Sequence, residues 1–224
     1  MHSVFLSKAE IGFSIIKERL KEIVDINSKV VIIPWSFPIE TDEFGVEEYY
    51  KNKIEPKYTK QLLEMGIKEK NIKYLNCYKD SLEYMKKEIN SSDILVLTGG
   101  NPEMFYNKVE SCGLLDTLKN YKKIIIGSSA GTELQLEDYF ITAKNNYYKK
   151  FDWYKGFGII NNTFFTDVHS INDEEYLEQL KNITKNKKKD VYAIFDDGAI
   201  IYNRISNQIE TYGNVIKYSY KDVM

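Results

Sequence analysis

Four short apolar runs, separated by segments of helix length, constrain the fold of this chain more than any other feature. The runs fall at residues 30–33, 72–75, 93–97 and 123–126. Strands buried on both faces are rich in apolar residues, and the stretches between these runs suit crossover helices. The pattern predicts an α/β fold with three layers, in which a mostly parallel sheet is flanked by helices.

The segments between these runs carry helix signals. Ile16, Leu20, Ile23 and Val24 recur at the spacing of one helix face. Further helices are expected over 49–65, 81–89 and 102–118. Gly66 is a plausible stop for the first of these, Asp80 or Ser81 caps the second, and Pro102 suits the first turn of the third. A polar, acidic loop is expected over 40–48.

Past residue 158 the pattern changes to short strands joined by turns, at 164–165, 191–194, 200–202 and 209–212. The sequences Asp196-Asp197-Gly198 and Ser206-Asn207 predict two hairpin turns. The basic run 185–189 is interpreted as a solvated loop, and the N-terminus around His2 as frayed. No linker or repeat divides the chain, so residues 1–224 are expected to form a single α/β domain.

The strongest functional signal is the sequence Gly127-Ser128-Ser129-Ala130-Gly131, which directly follows the fourth apolar run. It fits the G-x-S-x-G pattern of a nucleophile elbow, a sharp strand-to-helix turn that exposes the central serine hydroxyl. Ser129 is therefore the candidate nucleophile. The backbone N–H of Ala130 would donate to an oxyanion.

A second glycine-containing turn, Thr98-Gly99-Gly100-Asn101, follows the third run. Ligands of open parallel sheets bind at the carboxyl ends of the strands, so this turn should border the site. Gly99-Gly100 could bring a backbone N–H close to a substrate oxygen as the second oxyanion donor, which the family resemblance described below assigns to Gly100, and Gly99 and Asn101 are expected to contact substrate. The turn is neither a Walker A loop nor a G-x-G-x-x-G motif.

A serine nucleophile needs a base, and the chain has only two histidines, His2 and His169. His169 follows an apolar segment and is the candidate general base. A carboxylate should orient its ring, and Asp196 or Asp197, after another apolar run, are the best placed. Asp138 and Asp152 remain open on spacing alone. Asp167 is poorly placed, because it lies only two residues before His169 on an extended chain.

Composition excludes several classes of protein. Lys and Arg number 31 against 33 Asp and Glu, which argues against a basic nucleic-acid-binding face. No apolar run approaches the roughly 20 residues that span a membrane, and no signal peptide is expected. The cysteines, Cys77 and Cys112, are far apart and suit reduced thiols of a cytoplasmic protein. With two histidines, a zinc site is not expected.

These motifs, with Gly156-Phe157-Gly158 and 193–199, resemble peptidase family S51, which includes aspartyl dipeptidase (peptidase E) and cyanophycinase. The resemblance covers about residues 93–202. It implies a fold similar to class I glutamine amidotransferases (flavodoxin-like), with serine in place of the nucleophilic cysteine. It also implies a triad of Ser129, His169 and an acid, here assigned to Asp196, with no metal or organic cofactor.

Two features depart from that pattern. Thr132 and Glu133 follow the elbow where a smaller, neutral pair would be more typical, and Glu133 is expected to lie near bound substrate. Recognition of an aspartyl side chain needs a cation, yet Arg19 and Arg204, the two arginines, fall outside every motif. Lys144, Lys149, Lys150 and Lys155 could substitute as point charges.

The sequence thus predicts a cytoplasmic serine hydrolase, a monomer or homodimer, that cleaves a small peptide or amide. Partners in the form of nucleic acid or membrane are not expected. Two other functions remain open. One is a catalytically silent small-molecule binding module that retains the elbow. The other is a glutamine-amidase-like subunit of a larger synthase, which is weakened because serine stands where cysteine is expected.

Overall fold

The computed structural model describes residues 1–37, 43–143 and 150–222. The strands are β1 His2–Leu6, β2 Val30–Ile33, β3 Ile72–Tyr74, β4 Ile94–Leu97, β5 Ile124–Ser128, β6 Asp138–Ile141, β7 Asp152–Lys155, β8 Phe164–Val168, β9 Asp190–Asn203 and β10 Ile209–Tyr218. The helices are α1 Ala9–Ile23, α2 Glu43–Tyr49, α3 Lys60–Glu64, α4 Leu82–Ser91, α5 Pro102–Ser111, α6 Leu115–Lys119, α7 Ala130–Glu133 and α8 Glu174–Lys187. A π-helical segment, Tyr50–Thr59, joins α2 to α3, and a short 3₁₀ turn spans Glu69–Asn71.

Eight of the described strands form one large mixed sheet in the order β10-β9-β1-β5-β4-β2-β3, with β8 also paired to β9. Its centre is parallel, as the apolar runs predict: β1, β5, β4, β2 and β3 all pair in parallel. β6 and β7 form a separate antiparallel pair that the sequence did not predict.

Two apolar cores cover the two faces of this sheet. Alternate strand residues point to opposite faces, so Val31 and Ile33 belong to one core while Val30 and Ile32 belong to the other. Helices α4, α5, α6 and α8 bury apolar side chains in the first core, whereas α1, the π-helical segment and α3 do so in the second. The predicted three-layer α/β architecture is therefore confirmed.

The N-terminus is a central strand and is not frayed, which corrects the sequence-based expectation. β1 pairs in parallel with β5 and antiparallel with the second half of β9. Val4, Phe5 and Leu6 have no exposed surface. The strand places the next residues, Ser7 and Lys8, at the carboxyl end of the parallel sheet, where the site is expected.

The predicted hairpin at Asp196-Asp197-Gly198 does not form, because β9 continues through it. The first half of β9 pairs with β8 and the second half with β1, while β10 runs along its other side. Gly198 lies opposite Gly213 and Ile194 opposite Val215, so residues 195–197 face Asn214 alone. This bulge bends the strand where the two candidate acids lie. The second predicted turn, Ser206-Asn207, does join β9 to β10.

Helix boundaries also differ from those expected. The helix predicted over 102–118 is two helices separated at Gly113, and the helix predicted from residue 49 begins at Glu43 and is π-helical in its middle. The rest of the loop expected over 40–48 lies at 40–42, outside the described residues. The basic run begins inside α8, which ends at Lys187 before Lys188 turns left-handed. Gly66, Ser81 and Pro102 terminate, cap and begin their helices as predicted.

No helix in the described part of the chain has the length and apolar character needed to cross a membrane.

Candidate active site

Ser129 lies in the sharp turn between β5 and α7, with backbone angles φ 48° and ψ −116°. Such a conformation is costly for a residue other than glycine and is typical of a nucleophile elbow. The backbone N–H of Ser129 donates to Leu6 O at 2.8 Å. The flanking glycines permit the turn, because a Cβ at Gly127 would lie 2.1 Å from Gly131 O and one at Gly131 would lie 2.1 Å from Leu97 O.

Thr132 ties the elbow to the end of β1. Its Oγ1 accepts the backbone N–H of Leu6 at 3.0 Å and lies 2.8 Å from Leu6 O and 2.9 Å from Gly127 O. The side chain is fully buried, so these backbone groups have no access to water. Thr132, which departs from the family pattern, thus has a structural explanation.

Thr132→Val is expected to destabilise the protein by about 1–3 kcal/mol, because an isosteric methyl leaves the buried Leu6 N–H without an acceptor. Urea unfolding followed by circular dichroism would measure the loss. Thr163→Val, a change at an exposed position, serves as the control. If Thr132→Val had the same unfolding free energy as the wild type, the stabilising role of the Thr132 hydrogen bonds would be contradicted.

His169 follows β8 and adopts a left-handed backbone conformation, φ 55°. Ser7 holds this conformation, since its Oγ accepts the backbone N–H of His169 at 2.8 Å. The same Oγ lies 3.3 Å from the ring Nδ1. The turn aims the ring at the elbow, where Nε2 lies 2.9 Å from Ser129 Oγ.

Asp196, and not Asp197, lies beside the histidine. Asp196 Oδ1 is 2.6 Å from His169 Nδ1, whereas Asp197 is exposed. An ionised carboxylate only accepts, so Nδ1 carries the proton and Nε2 is left to accept the Ser129 hydroxyl. Asp152 accepts the backbone N–H of Trp153, and Asp138 is an exposed residue of β6. The bulge in β9 is what brings the Asp196 carboxylate to His169.

Lys8 forms the second contact of Asp196, with its Nζ 2.5 Å from Oδ2. Burial alone would raise the pKa of Asp196, but the hydrogen bonds from Lys8 and His169 outweigh it and hold that pKa below its usual value. The carboxylate therefore stays ionised at neutral and mildly acidic pH. Both side chains of this ion pair are about half exposed.

Lys8→Met should raise the pKa of Asp196 toward its ordinary value. Because the pair favours the ionised carboxylate, its stabilisation exists above about pH 4 and is lost as Asp196 is protonated at lower pH. We expect the wild type to exceed the variant in unfolding free energy by at most about 1 kcal/mol at pH 6. That difference should shrink toward pH 3, and Lys8→Arg should retain it. A difference that is independent of pH would contradict the role of the ion pair.

The two candidate oxyanion donors end two neighbouring strands. Neither the Gly100 nor the Ala130 backbone N–H has a hydrogen-bond acceptor among residues 1–37, 43–143 and 150–222. Gly99 lies against the elbow, since a Cβ there would be 3.0 Å from Ser129 Cβ, but its N–H donates to Tyr58 Oη. Asn101 is exposed at the start of α5, where its side chain accepts the Met104 N–H.

Glu133 has a different place from the one expected. It is buried, with Oε2 accepting Thr166 Oγ1 at 3.0 Å and Oε1 accepting the Val168 N–H at 3.1 Å. The carboxylate thus joins α7 to β8 behind the elbow, and these protein contacts give Glu133 a structural role; substrate binding by this residue stays a prediction. Asp167 is also buried and is bonded to Ser170 and Tyr176.

Both arginines among the predicted cationic candidates are engaged away from Ser129 and His169. Arg19 pairs with Glu22 and Glu210, and Arg204 donates to the backbone carbonyls of Tyr121 and Lys123. Lys150 precedes β7 and Lys155 is the last residue of that strand, while Lys144 and Lys149 lie outside the described residues. No cluster of three His, Cys, Asp or Glu side chains that could hold a metal ion occurs in the described part of the chain.

Sequence reasoning missed Ser7, Lys8 and Tyr58. All three act on the site from elements whose sequences carry no catalytic motif, namely the end of β1 and the π-helical segment. Only the recognition of β1 as a central strand would have placed Ser7 and Lys8 at the carboxyl edge of the sheet.

A family model for peptidase family S51 matches residues 10–209 of this chain. The chain belongs to peptidase family S51. This S51 chain shares its fold with two solved structures. One is a protein from Listeria monocytogenes EGD-e that is designated a peptidase E, with TM-score 0.65, 19% identity and coverage of 95% of this chain and 98% of that chain. The other is a peptidase from an acI-B1 Actinobacterium, with TM-score 0.63, 13% identity and coverage of 98% and 91%.

A search of curated protein sequences gave no significant match to this S51 member. At these identities the solved structures establish the fold alone. The family match begins after Lys8 and ends at residue 209, where β10 begins.

Proposed function

We propose that this S51 peptidase is a serine-dependent hydrolase of small peptides or amides. A single observation carries the proposal. The His169 ring lies between Ser129 Oγ, 2.9 Å from Nε2, and Asp196 Oδ1, 2.6 Å from Nδ1, at a strained strand-to-helix turn. In this arrangement the nucleophile contacts a base, and the base contacts an orienting carboxylate.

In the proposed reaction, Ser129 Oγ attacks the scissile carbonyl carbon while its proton passes to His169 Nε2. The carbonyl oxygen becomes an oxyanion, which the free N–H groups of Gly100 and Ala130 stabilise. His169 then gives its proton to the leaving amine, and the C–N bond breaks to leave an acyl-enzyme. Water attacks the ester, His169 takes the water proton, and Ser129 recovers it as the acid product leaves.

Asp196 keeps the proton on Nδ1 and stabilises the imidazolium that forms in both steps. Its lowered pKa supports this role, because a carboxylate that remains ionised accepts from Nδ1 at every working pH. The chemistry uses protein groups alone. The two thiols, Cys77 and Cys112, are free, which supports a reducing, cytoplasmic location.

The specificity that we propose is for short substrates without a required acidic side chain. Both arginines are engaged away from the triad, and the nearby Lys8 is already paired with Asp196. Family members that select aspartyl peptides need a cation for that carboxylate.

The intact protein should react with a fluorophosphonate probe. Ser129 Oγ forms a bond to phosphorus, fluoride leaves, and His169 takes the hydroxyl proton. Mass spectrometry of digested protein should place the label on Ser129, and a panel of dipeptides, some beginning with aspartate, would then define the substrate. Absence of label on folded wild-type protein would overturn the proposal and favour a silent binding module.

A further inference from the structure

Tyr58 connects the two turns that border the nucleophile. It lies in the π-helical segment and is 4% exposed. Its hydroxyl accepts the backbone N–H of Gly99 at 2.8 Å and lies 2.5 Å from Ser128 Oγ. Since Gly99 N–H is the donor in the first bond, the tyrosine proton remains free to be donated to Ser128.

Each partner of this hydroxyl is the immediate neighbour of a residue of the site. Gly99 precedes Gly100, and Ser128 precedes Ser129 and Ala130. The backbone N–H groups of Gly100 and Ala130 therefore lie in two different turns, one after β4 and one after β5. The buried Tyr58 hydroxyl bonds to both turns and so connects them. Oxyanion donors act only when they lie about 2.7–3.1 Å from the developing charge.

We propose that Tyr58 is a positioning residue that fixes the spacing between the Gly100 and Ala130 amides, and thereby the geometry of the oxyanion hole. This inference rests on the proposed function. Tyr58 touches no substrate atom in the proposal, and it acts only through Gly99 and Ser128.

The protonation state of the Tyr58 hydroxyl and the structure around it support this role. Burial raises the pKa of Tyr58 to about 12, so the phenol keeps its proton at neutral pH and can accept and donate at once. The π-helical turn, which contains Pro56, is a rare conformation that is over-represented at functional sites. Ser36 holds the other side of the same turn, since its Oγ donates to Gly99 O.

Tyr58→Phe removes the hydroxyl and keeps the ring. We expect the second-order rate constant of fluorophosphonate labelling to fall about tenfold to a hundredfold, because a displacement of about 1 Å can cost a hundredfold in rate. The labelling rate of Tyr58→Phe should be lower than that of the wild type by the same factor at every pH, because the substitution does not change the His169–Asp196 pair. A loss of packing alone would lower the melting temperature without this uniform fall in rate.

Tyr50→Phe is the matched control. Tyr50 lies in the same segment, and its hydroxyl bonds to Thr59 Oγ1, at 2.9 Å, rather than to either turn. It should label at the wild-type rate.

Ser128→Ala removes the hydrogen bond between Tyr58 and Ser128 by changing the other partner, and it keeps the bond from Gly99 to Tyr58. It therefore tests the inference if Tyr58→Phe folds poorly. It should also slow labelling, and the double variant should be no slower than Tyr58→Phe, because both changes remove one link.

The outcomes separate the two proposals. A wild-type protein that takes up no label overturns the proposed function and this inference with it. If the wild type is labelled and folded Tyr58→Phe and Ser128→Ala both match its rate, the inference alone is wrong. It is also wrong if Tyr50→Phe slows labelling as much as Tyr58→Phe.

Discussion

Ser129→Ala is expected to abolish fluorophosphonate labelling and to reduce peptide hydrolysis by at least about a thousandfold. The variant lacks the oxygen that attacks the carbonyl in the proposed reaction, and the adjacent Ser128 hydroxyl is not placed to substitute for it. Ser128 Oγ lies 2.5 Å from the Tyr58 hydroxyl and is buried. Alanine fits the space of serine, so the strained turn should persist and the melting temperature should change little.

The measurement is the labelled fraction of intact protein by mass spectrometry, followed by turnover of whichever dipeptide the wild type cleaves. Ser111→Ala is the control, since Ser111 is an exposed residue of α5 whose hydroxyl donates to the Lys108 carbonyl, on a different element from the elbow. Wild-type turnover by purified Ser129→Ala would remove Ser129 from the mechanism.

Asp196→Asn is expected to lower the rate about ten-thousandfold, as in other enzymes where an amide replaces the orienting carboxylate. The amide can donate to Nδ1, which favours the tautomer that carries its proton on Nε2. That tautomer cannot accept the Ser129 proton. The amide also loses the ion pair with Lys8, at 2.5 Å, so the variant combines a large kinetic effect with a small loss of stability.

Asp197→Asn is a matched control, because it makes the same chemical change one residue further along the same bulge. Asp197 is exposed, and no hydrogen bond links it to His169 within the described residues. Its rate should remain within severalfold of the wild type. If Asp197→Asn were the slower variant, the register of the bulge would be wrong. If both variants were fast, Asp196 would not orient His169.

The elements that the sequence predicted well are those defined by local pattern. The runs that become β2 and β4 are apolar throughout because helices cover both faces of the sheet there, and β5 begins with three isoleucines for the same reason. The elbow is predictable for a similar reason, since glycines at 127 and 131 are required by contacts within a few residues and across one neighbouring strand.

The elements that were missed depend on distant pairing. Asp196-Asp197-Gly198 has the composition of a turn, yet pairing with β10 keeps it inside a bulged strand. β1 begins with the polar residues His2 and Ser3, which do not by themselves indicate a strand. It is a strand because it pairs with β5 and β9, which lie far along the chain. Glu133 looked like a charge near substrate because its partners, Thr166 and Val168, become neighbours only when β8 packs behind the elbow.

The position of β1 also has a consequence for the order in which the molecule assembles. Its antiparallel partner in β9 lies about 200 residues further along the chain, and pairs this remote in sequence slow folding because a long loop must close first. At ribosomal speeds of about 5–20 residues per second, that partner is synthesised about 10–40 s after β1. The contacts of Ser7 with His169 and of Lys8 with Asp196 can form only after those distant residues have been synthesised. The candidate site is therefore among the last parts of the protein to acquire its native geometry, and a nascent chain that stops before β9 lacks Asp196.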